Sequence, residues 1–251
     1  MRGLSGRTAI VTGASRGIGY AIAERLIAEG VRVVITGRKQ DALAEAVTTL
    51  GGPEVCLGVP GKADDPDHRV EAVAAAAQTF GPATLLVNNV GINPVYGPLM
   101  AADLGAARKI VEVNALAPLA WTQALFGAGV TEAAPAESGA VVNISSTAGQ
   151  GTAPGIDLYG ASKAMLDHLT RGLALELAPR VRVNAVAPAL VRTRFAAPLM
   201  SQGEEVAATR YPLERIGIPD DIASTVAFLL SDEAAWITGT LHTIDGGARL
   251  R

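Results

Sequence analysis

Tyr159 and Lys163 lie four residues apart in the stretch YGASK and bring together a phenol and an ammonium group. On a helix, this spacing places both side chains on one face, one turn apart. A positive charge beside the phenol would stabilise its phenolate, so the pair could act as a proton donor and its activator. The same spacing is also found in ordinary surface contacts, and the pair alone leaves both interpretations open.

Three further groups of polar side chains follow apolar segments. The stretch NNVG begins at Asn88, VVNISS ends with Ser145 and Ser146, and Asn114 interrupts the apolar segment VEVNALAP. The carboxyl ends of strands line the ligand crevice of an open α/β sheet, so these groups are expected to converge there. Each has a structural alternative, because Asn114 could cap a local turn and the other side chains could bond to backbone or tie strands together.

A glycine-rich stretch, TGASRGIG, follows the first apolar segment and opens a helical one. Its glycines would allow a sharp turn, a close approach of the backbone to phosphate and close packing of the helix. In this context the stretch predicts a dinucleotide site rather than a structural turn, although the spacing differs from the commoner G-x-G-x-x-G. The predicted contacts to the cofactor are Gly13, Ser15, Arg16, Gly17, Ile18 and Gly19.

The end of the second apolar segment bears on the choice between NAD and NADP. A site for NAD usually has a carboxylate there that binds the ribose hydroxyls. Gly37 occupies this place, and Arg38 and Lys39 follow. Together with Arg16, Arg38 could bracket a 2′-phosphate, so the sequence favours NADP over NAD. The alternative is that Arg38 and Lys39 only solvate the start of a helix.

The elements that would position these residues alternate between strands and helices. Several of the apolar segments are continuously apolar, as in strands covered on both faces. Seven segments are predicted to be strands: TAIVTG, VRVVITG, EVCLGV, ATLLVNNVG, AVVNISS, VRVNAVAP and TLHTIDGG. Helical segments between them include IGYAIAERLIAEG, closed by Gly30, and ASKAMLDHLTRGLALELAP, closed by Pro179.

This alternation predicts an α/β fold, a doubly wound parallel sheet between helices, in one domain over residues 1–251. The least regular stretch, at about residues 189–219, follows the sixth predicted strand. It would be either a lid over a ligand or a surface excursion.

Composition and charge limit the classes of partner that the protein is expected to bind. The chain has 251 residues, 49% of them hydrophobic, and a formal charge of −3 without a basic run, which gives no reason to expect nucleic acid or an acidic membrane surface. No signal peptide or bilayer-spanning segment is evident, so a cytoplasmic protein is expected. Cys56 is interpreted as a buried small hydrophobe, and the three histidines lack metal-ligand spacing, so no metal site is expected.

Taken together and in order, TGASRGIG, NNVG, the helical Asn114, NISS, YGASK, VNAVAPALVRT and ITGTLHTIDGG resemble the motifs of the short-chain dehydrogenase/reductase family. The resemblance is to members of the kind typified by bacterial 3-oxoacyl-[acyl carrier protein] reductases, and it runs from about Thr8 to Gly247. It implies a Rossmann fold and a catalytic tetrad of Asn114, Ser146, Tyr159 and Lys163. Ser146 is preferred to Ser145 because the serine of the family lies thirteen positions before its tyrosine.

The resemblance also implies a role for each member of the tetrad. Tyr159 would exchange a proton with the substrate oxygen, which Ser146 would hold by a hydrogen bond. Lys163 would favour the phenolate and bond the nicotinamide ribose, and Asn114 would hold a water of a proton relay. The further cofactor contacts implied are Asn89, Gly91, Pro188, Val191 and Thr193.

Three departures from the family pattern concern the cofactor and the lid. Val90 replaces an alanine near the adenine ribose, and Lys62 and Ala63 replace an Asp-Val pair that contacts adenine. Ala189 replaces the glycine that normally follows Pro188, so a positive φ there would be unfavourable and the lid would start on another path.

The expected function is NADP-dependent interconversion of a carbonyl and a secondary alcohol, with 3-oxoacyl thioester reduction placed first. The lid arginines Arg192, Arg194 and Arg210 could attract an acyl carrier or could be plain solubilising charge. Two alternatives are an NAD(P)-dependent dehydrogenase of a steroid, sugar or xenobiotic ketone, and a non-catalytic NADP-binding protein. The resemblance further implies a homotetramer in which helices at about 103–127 and 159–179 pair across an interface.

Overall fold

Seven segments rich in branched apolar side chains form parallel strands in the computed structural model, which describes residues 1–127, 139–200 and 203–250. The strands are β1 (Thr8–Val11), β2 (Arg32–Gly37), β3 (Cys56–Pro60), β4 (Ala83–Asn88), β5 (Gly139–Ile144), β6 (Val181–Pro188) and β7 (Leu241–Ile244). They form one sheet in the order β3-β2-β1-β4-β5-β6-β7. The predicted doubly wound, seven-stranded parallel sheet is confirmed.

Helices connect the strands on both faces of the sheet. They are α1 (Gly17–Ala28), α2 (Gln40–Thr49), α3 (Pro66–Thr79), α4 (Leu104–Val111), α5 (Ala117–Phe126), α6 (Asp157–Leu177), α7 (Glu204–Ala208) and α8 (Pro219–Leu230). A π-helical turn, Glu112–Leu116, joins α4 to α5. The first predicted helix ends at Ala28, just before Gly30, and α6 ends at Leu177, just before Pro179.

The two faces of the sheet support two hydrophobic cores. Helices α1, α2 and α8 cover one face, with Leu26, Leu43 and Val226 among the fully buried side chains. Helices α3, α5 and α6 cover the other, where Trp121 is the largest buried side chain. Strands β1 and β5 are buried along their whole length, which explains why their sequences are continuously apolar.

From β1 the chain continues to β2 and β3 on one side of β1, and it then crosses to β4 on the other side of β1. The topological switch point of the sheet therefore lies between β1 and β4. Ligands of doubly wound sheets bind outside the carboxyl ends of the strands at such a point. Buried amides tie the neighbouring strands to α6 there. Asn88 Nδ2 donates to Asn143 Oδ1 at 2.9 Å, and Asn143 Nδ2 donates to Thr170 Oγ1 at 2.9 Å. The side chain of Asn88 therefore ties two neighbouring strands together, which is the structural alternative that the sequence left open.

The segment at residues 189–219 contains a 3-10 turn, Ala197–Met200, and the short helix α7, while Ser201 and Gln202 lie outside the described residues. Its first residue, Ala189, does not have a positive φ, as expected where alanine replaces the glycine of the family pattern. Glu214 is the one non-glycine residue with positive φ in the described ranges, and the amide of Ala189 donates to Ile244 O at 3.0 Å. Replacing glycine at position 189 therefore introduces no backbone strain.

Arg182, in β6, fastens the end of α8 to the sheet. Its Nη1 donates to Leu229 O at 2.7 Å and its Nη2 to Ser231 O at 3.0 Å. These carbonyls lie at the carboxyl end of α8, where backbone oxygens have no partner within the helix. Burial lowers the pKa of the Arg182 guanidinium, and nearby Arg7 lowers it further, whereas Asp232 raises it.

Replacing Arg182 by methionine keeps most of the apolar stem but removes these donors. We expect the free energy of unfolding to fall by about 2–4 kcal/mol, because two carbonyls lose charge-assisted hydrogen bonds. Urea denaturation at a fixed protein concentration measures the difference. Arg32→Met, at an exposed position at the start of β2, is the matched control and should change stability by less than about 0.5 kcal/mol. Equal stability of the two variants would contradict the assigned role.

Candidate active site

The first turns of α6 place Tyr159 and Lys163 on one face, as their spacing predicts. The Nζ atom of Lys163 lies 5.7 Å from the centroid of the Tyr159 ring. Only 2% of Lys163 is exposed, and its Nζ donates to Ile144 O, at the end of β5, at 2.7 Å. The strand end thus satisfies one of the three donors of a buried ammonium.

The surroundings of Tyr159 keep its phenol protonated in the free protein. Desolvation raises the pKa of Tyr159 to about 12; a hydrogen bond with Ser146 lowers it, and the neighbouring Tyr96 raises it. The sequence predicts that Lys163 favours the phenolate, and in the free protein the loss of solvation is the larger influence on the pKa of Tyr159.

Lys163 responds to burial in the opposite way. Desolvation lowers the pKa of its ammonium to about 8, and the carboxylate of Asp167 opposes the change by raising it. Below about pH 8 the site therefore contains a buried positive charge one helical turn from a neutral phenol.

The structure separates the two serines that follow β5. The Ser146 hydroxyl accepts a hydrogen bond from Ala148 N at 3.2 Å and lies within hydrogen-bonding reach of Tyr159. Ser145 is buried instead, and its hydroxyl lies 3.5 Å from Lys163 O in α6. Ser146 is thus the serine that faces the phenol.

Asn114 lies in the π-helical turn and is fully buried. Its Nδ2 donates to Ile92 O at 2.9 Å and to Ser162 Oγ at 3.0 Å, and its Oδ1 accepts from Ile92 N at 2.8 Å. Ser162 Oγ in turn donates to Tyr159 O at 2.7 Å. Asn114 therefore links the segment after β4 to α6. Sequence reasoning missed the π turn and Ser162, although Ser162 lies within the YGASK stretch.

The glycine-rich loop between β1 and α1 is tightly braced. Gly13 has a φ of 68°, in the left-handed region that favours glycine. A Cβ on Gly19 would lie 2.5 Å from Asn89 Nδ2, too close for any other residue. Asn89 Nδ2 donates to Thr12 O at 2.9 Å and to Gly13 O at 3.1 Å. The side chain of Asn89, predicted to line the adenosine side, thus holds the loop.

The loop lies beside the start of the segment at residues 189–219. A Cβ on Gly17 would lie 3.6 Å from Thr193 Cγ2, and a Cβ on Gly91 would lie 3.5 Å from Lys163 Nζ. No side chain caps the start of α1, and the first N–H groups of a helix have no partner within the helix, so they are available to an anion. Bare glycine faces, free amides and a buried ammonium fit an extended dinucleotide.

The end of β2 carries no carboxylate. A Cβ on Gly37 would lie 3.4 Å from Leu43 Cδ2 and 3.5 Å from Ser15 Oγ, so this position abuts the glycine-rich loop. Arg16 and Arg38 are exposed, and neither forms an ion pair within the described part of the chain.

The other predicted cofactor contacts border the cleft in different ways. Ile18 is partly buried and packs against the core. Pro188 ends β6, and Val191 is buried and forms a bridge with Gly217. Val90 packs over Gly13, with its Cγ2 2.8 Å from a Cβ placed there, so Gly13 has no room for a side chain.

Two aromatic side chains stand at the mouth of the site, and sequence reasoning assigned neither. The Phe195 ring, in the lid, lies 6.0 Å from the Tyr159 ring. Tyr96, after β4, is close enough to affect the pKa of Tyr159. Both are about half exposed. The sequence gives no signal that picks these residues out.

Other reactive groups lie outside the crevice. Cys56 is buried in β3, and desolvation raises the pKa of its thiol to about 12, which disfavours a reactive thiolate. Over residues 1–127, 139–200 and 203–250, no group of three or more His, Cys, Asp or Glu side chains could hold a metal ion. None of the helices in these ranges is both long and apolar enough to span a membrane.

A family model and individual known proteins are similar to this chain over nearly its whole length. A family model described as enoyl-(acyl carrier protein) reductase matches residues 13–249. Dehydrogenase/reductase SDR family member 4 of Caenorhabditis elegans is 37% identical over 258 residues, covering 100% of this chain and 98% of the relative.

Solved structures share the fold. A short-chain dehydrogenase/reductase from Brucella melitensis, described as a glucose/ribitol dehydrogenase, superposes with a TM-score of 0.90 at 31% identity, covering 97% of each chain. A blue fluorescent protein from a metagenomic library, in complex with NADPH, superposes with a TM-score of 0.87 at 32% identity, covering 98% of this chain and 99% of that protein. The chain therefore belongs to the short-chain dehydrogenase/reductase family of NAD(P)-dependent oxidoreductases.

Proposed function

We propose that the protein is an NADP-dependent enzyme that interconverts a carbonyl and a secondary alcohol, with Tyr159 as the acid and base. The observation that carries this proposal is the position of the phenol. It lies within hydrogen-bonding reach of Ser146, and its ring centroid is 5.7 Å from Lys163 Nζ. The same ammonium borders the glycine-lined cleft at Gly91. A protein that only bound the cofactor would need neither the phenol nor the serine.

In this mechanism the cofactor supplies or accepts the hydride. During reduction, Tyr159 donates its hydroxyl proton to the carbonyl oxygen, and during oxidation its phenolate takes that proton back. Ser146 donates a hydrogen bond to the same oxygen and stabilises the charge that develops on it. Lys163 holds a positive charge beside the phenolate. Asn114 holds the π-helical turn in place against α6, the helix that carries Lys163.

The proposal sets an energetic requirement. Bringing the pKa of Tyr159 from about 12 to neutral pH needs roughly 7 kcal/mol of additional stabilisation of the phenolate. Lys163 is buried in the free protein, with only 2% of it exposed, so its charge is already included in the starting value and the additional stabilisation has to come from a further positive charge. The positive charge of an oxidised nicotinamide ring would supply it. The catalytic pKa is therefore a property of the enzyme with its cofactor bound.

A preference for NADP is supported by the end of β2. Gly37 leaves no carboxylate to repel a 2′-phosphate, and the exposed Arg16 and Arg38 have no acidic partner in the described ranges. Guanidinium groups bind phosphate through paired N–H donors. The structural neighbour solved with NADPH is in keeping with this preference.

The mouth of the site supports an apolar substrate, with a 3-oxoacyl thioester placed first. Phe195 and Tyr96 flank the phenol, and a cavity of about 270 Å³ in the lid is lined by apolar residues, including Leu199 and Val206, together with Arg210. An acyl chain on an anionic carrier suits this combination. Aldoses need many polar partners and suit it poorly. Arg192 is paired with Glu204 at the surface, so a carrier would have to compete with this ion pair for it.

The proposed unit is a single domain over residues 1–251, with residues 189–219 as a lid that faces both the glycine-rich loop and the phenol. A homotetramer is supported by the outward face of α6. Its exposed residues include a row at helical spacing, with the charged Arg171 and Glu176 beside it, that is small or apolar apart from one histidine: Ala161, Met165, His168, Gly172 and Leu175. Exposed apolar stripes of this kind commonly mark interfaces between proteins.

Tyr159→Phe keeps the ring but removes the transferable proton. We expect kcat to fall by about 10²- to 10⁴-fold, while NADPH affinity, measured by fluorescence titration, changes less than about threefold. Rates are measured with acetoacetyl-CoA, an aryl ketone and an aldose. Tyr20→Phe, in α1 outside the site, is the matched control and should retain its rate. Equal turnover by both variants would contradict the mechanism, and turnover of the aldose alone would contradict the substrate class.

Arg38→Ala removes one of the two proposed phosphate ligands. We expect KM for NADPH to rise about tenfold to a hundredfold, with little change for NADH, because NADH lacks the 2′-phosphate. Arg32→Ala, at the opposite end of the same strand, is the control. An equal loss with both cofactors would show that Arg38 does not read the 2′-phosphate.

Leu175→Glu places a charge on the outward face of α6, where the native side chain is 82% exposed. If this face pairs with a second copy, light scattering should show the tetramer shifting to smaller species. Val70→Glu, on α3, makes the same change at a residue that is 67% exposed and should leave the assembly intact. A wild-type protein that is monomeric would contradict the proposed assembly.

A further inference from the structure

We propose that Asp167 is a positioning residue of this site, whose buried carboxylate holds Lys163 in its charged form and, through Ser145, fixes the strand end that carries Ser146. The proposal rests on the proposed function, since it assigns a role within the same proton-transferring group. Sequence reasoning did not single out Asp167, and neither the tetrad nor the cofactor contacts include it.

The first observation is the position of Asp167 on α6. It follows Lys163 by one helical turn and lies on the same inward face, whereas His168 and Arg171 are exposed. Only 5% of Asp167 is exposed, compared with 2% of Lys163. Tyr159, Lys163 and Asp167 therefore form a row of a phenol, an ammonium and a carboxylate along one face of the helix.

The second observation is that this carboxylate is incompletely bonded. Its Oδ1 is buried and has no hydrogen-bond partner within the described part of the chain. Lys163 and Arg171, both on α6, are the charged groups that act on it, and the end of β5 presents the uncharged Ser145 hydroxyl. It forms no ion pair with either cation in the described ranges, so the attraction acts at longer range.

A buried and partly unsatisfied carboxylate is unfavourable for folding unless a nearby charge compensates for it. Desolvation raises the pKa of Asp167, while the Ser145 hydroxyl and the positive charge of Lys163 lower it. In return, Asp167 raises the pKa of Lys163, which burial alone depresses. The two groups stabilise each other's charged forms, and the ammonium stays charged to a higher pH than it would without the carboxylate.

The third observation connects Asp167 to the serine of the tetrad. Ser145 is buried, its hydroxyl lies 3.5 Å from Lys163 O, and the same hydroxyl is within hydrogen-bonding reach of the Asp167 carboxylate. Of these two acceptors, the charged carboxylate forms the stronger hydrogen bond, so Asp167 orients the Ser145 hydroxyl. Ser146 is the next residue, and the contact holds the backbone from which its side chain reaches Tyr159.

The experiment measures the ionisation of Lys163 in the free protein, by NMR of protein labelled with ¹⁵N-lysine. The chain has only four lysines, and Lys163→Arg assigns the resonance. We expect Lys163 to lose its proton at a lower pH in Asp167→Asn than in wild type, and Asp167→Glu to restore the wild-type titration. Glu176→Gln, which removes an exposed carboxylate of the same helix, should leave it unchanged. Identical titrations in wild type and Asp167→Asn would overturn the proposal.

The second readout is the pH dependence of kcat/KM. Because Lys163 acts when protonated, the alkaline limb of the profile should move to lower pH in Asp167→Asn, with a roughly tenfold loss at pH 8 and a much smaller loss at pH 6. A loss that is equal at every pH would indicate a merely structural role and would overturn the proposal. The NMR titration needs no turnover, so a failure of the proposed reaction is distinguishable from a failure of this coupling.

If Asp167→Asn does not fold, the wild-type protein provides the same test. The Lys163 resonance should then show a second inflection at acidic pH, where Asp167 takes up a proton. A resonance without that inflection would overturn the proposal.

Discussion

A buried ammonium at the carboxyl end of a parallel strand is the group on which the rest of this site depends. Isolated from water, such a charge is unfavourable by several kcal/mol unless acceptors and opposite charge surround it. Ile144 O accepts from Lys163 Nζ, Asp167 supplies the negative charge, and Asn143 bonds to Thr170 and thereby ties β5 to the helix that carries both. The strand end and α6 must therefore keep a fixed relation to each other for Lys163 to remain charged.

The fold supplies that relation and places the cofactor cleft beside it. A parallel sheet brings all strand carboxyl ends to one edge, and the switch point between β1 and β4 opens a crevice there. Asn89 braces the glycine-rich loop on one side of this crevice, and Asn114 fastens the segment after β4 to α6 on the other. These two amide side chains thus fix the backbone around the reacting groups, while Tyr159 and Ser146 remain available to a substrate.

The sequence predicted the elements well because their physical signals are local. Continuous apolar segments marked the buried strands, and the Tyr159–Lys163 spacing marked one helical face. Other features depend on tertiary contacts that no local pattern reveals. The π-helical turn arises where Asn114 must meet Ile92 and Ser162, and the aromatic mouth brings Phe195 from the lid to Tyr159. The raised pKa of Tyr159 in the free protein follows from desolvation, which sequence spacing cannot measure.

The central claim is that Tyr159 becomes an acid and base at working pH only when the cofactor's charge joins that of Lys163. The most direct measurement is an ultraviolet difference titration of the phenol, with and without saturating oxidised NADP. Tyr159→Phe is the blank that removes the signal of the other three tyrosines. The account predicts that Tyr159 ionises with a pKa of about 12 in the free protein and in the neutral range in the complex. A phenol that still ionises near 12 in the saturated complex would contradict it.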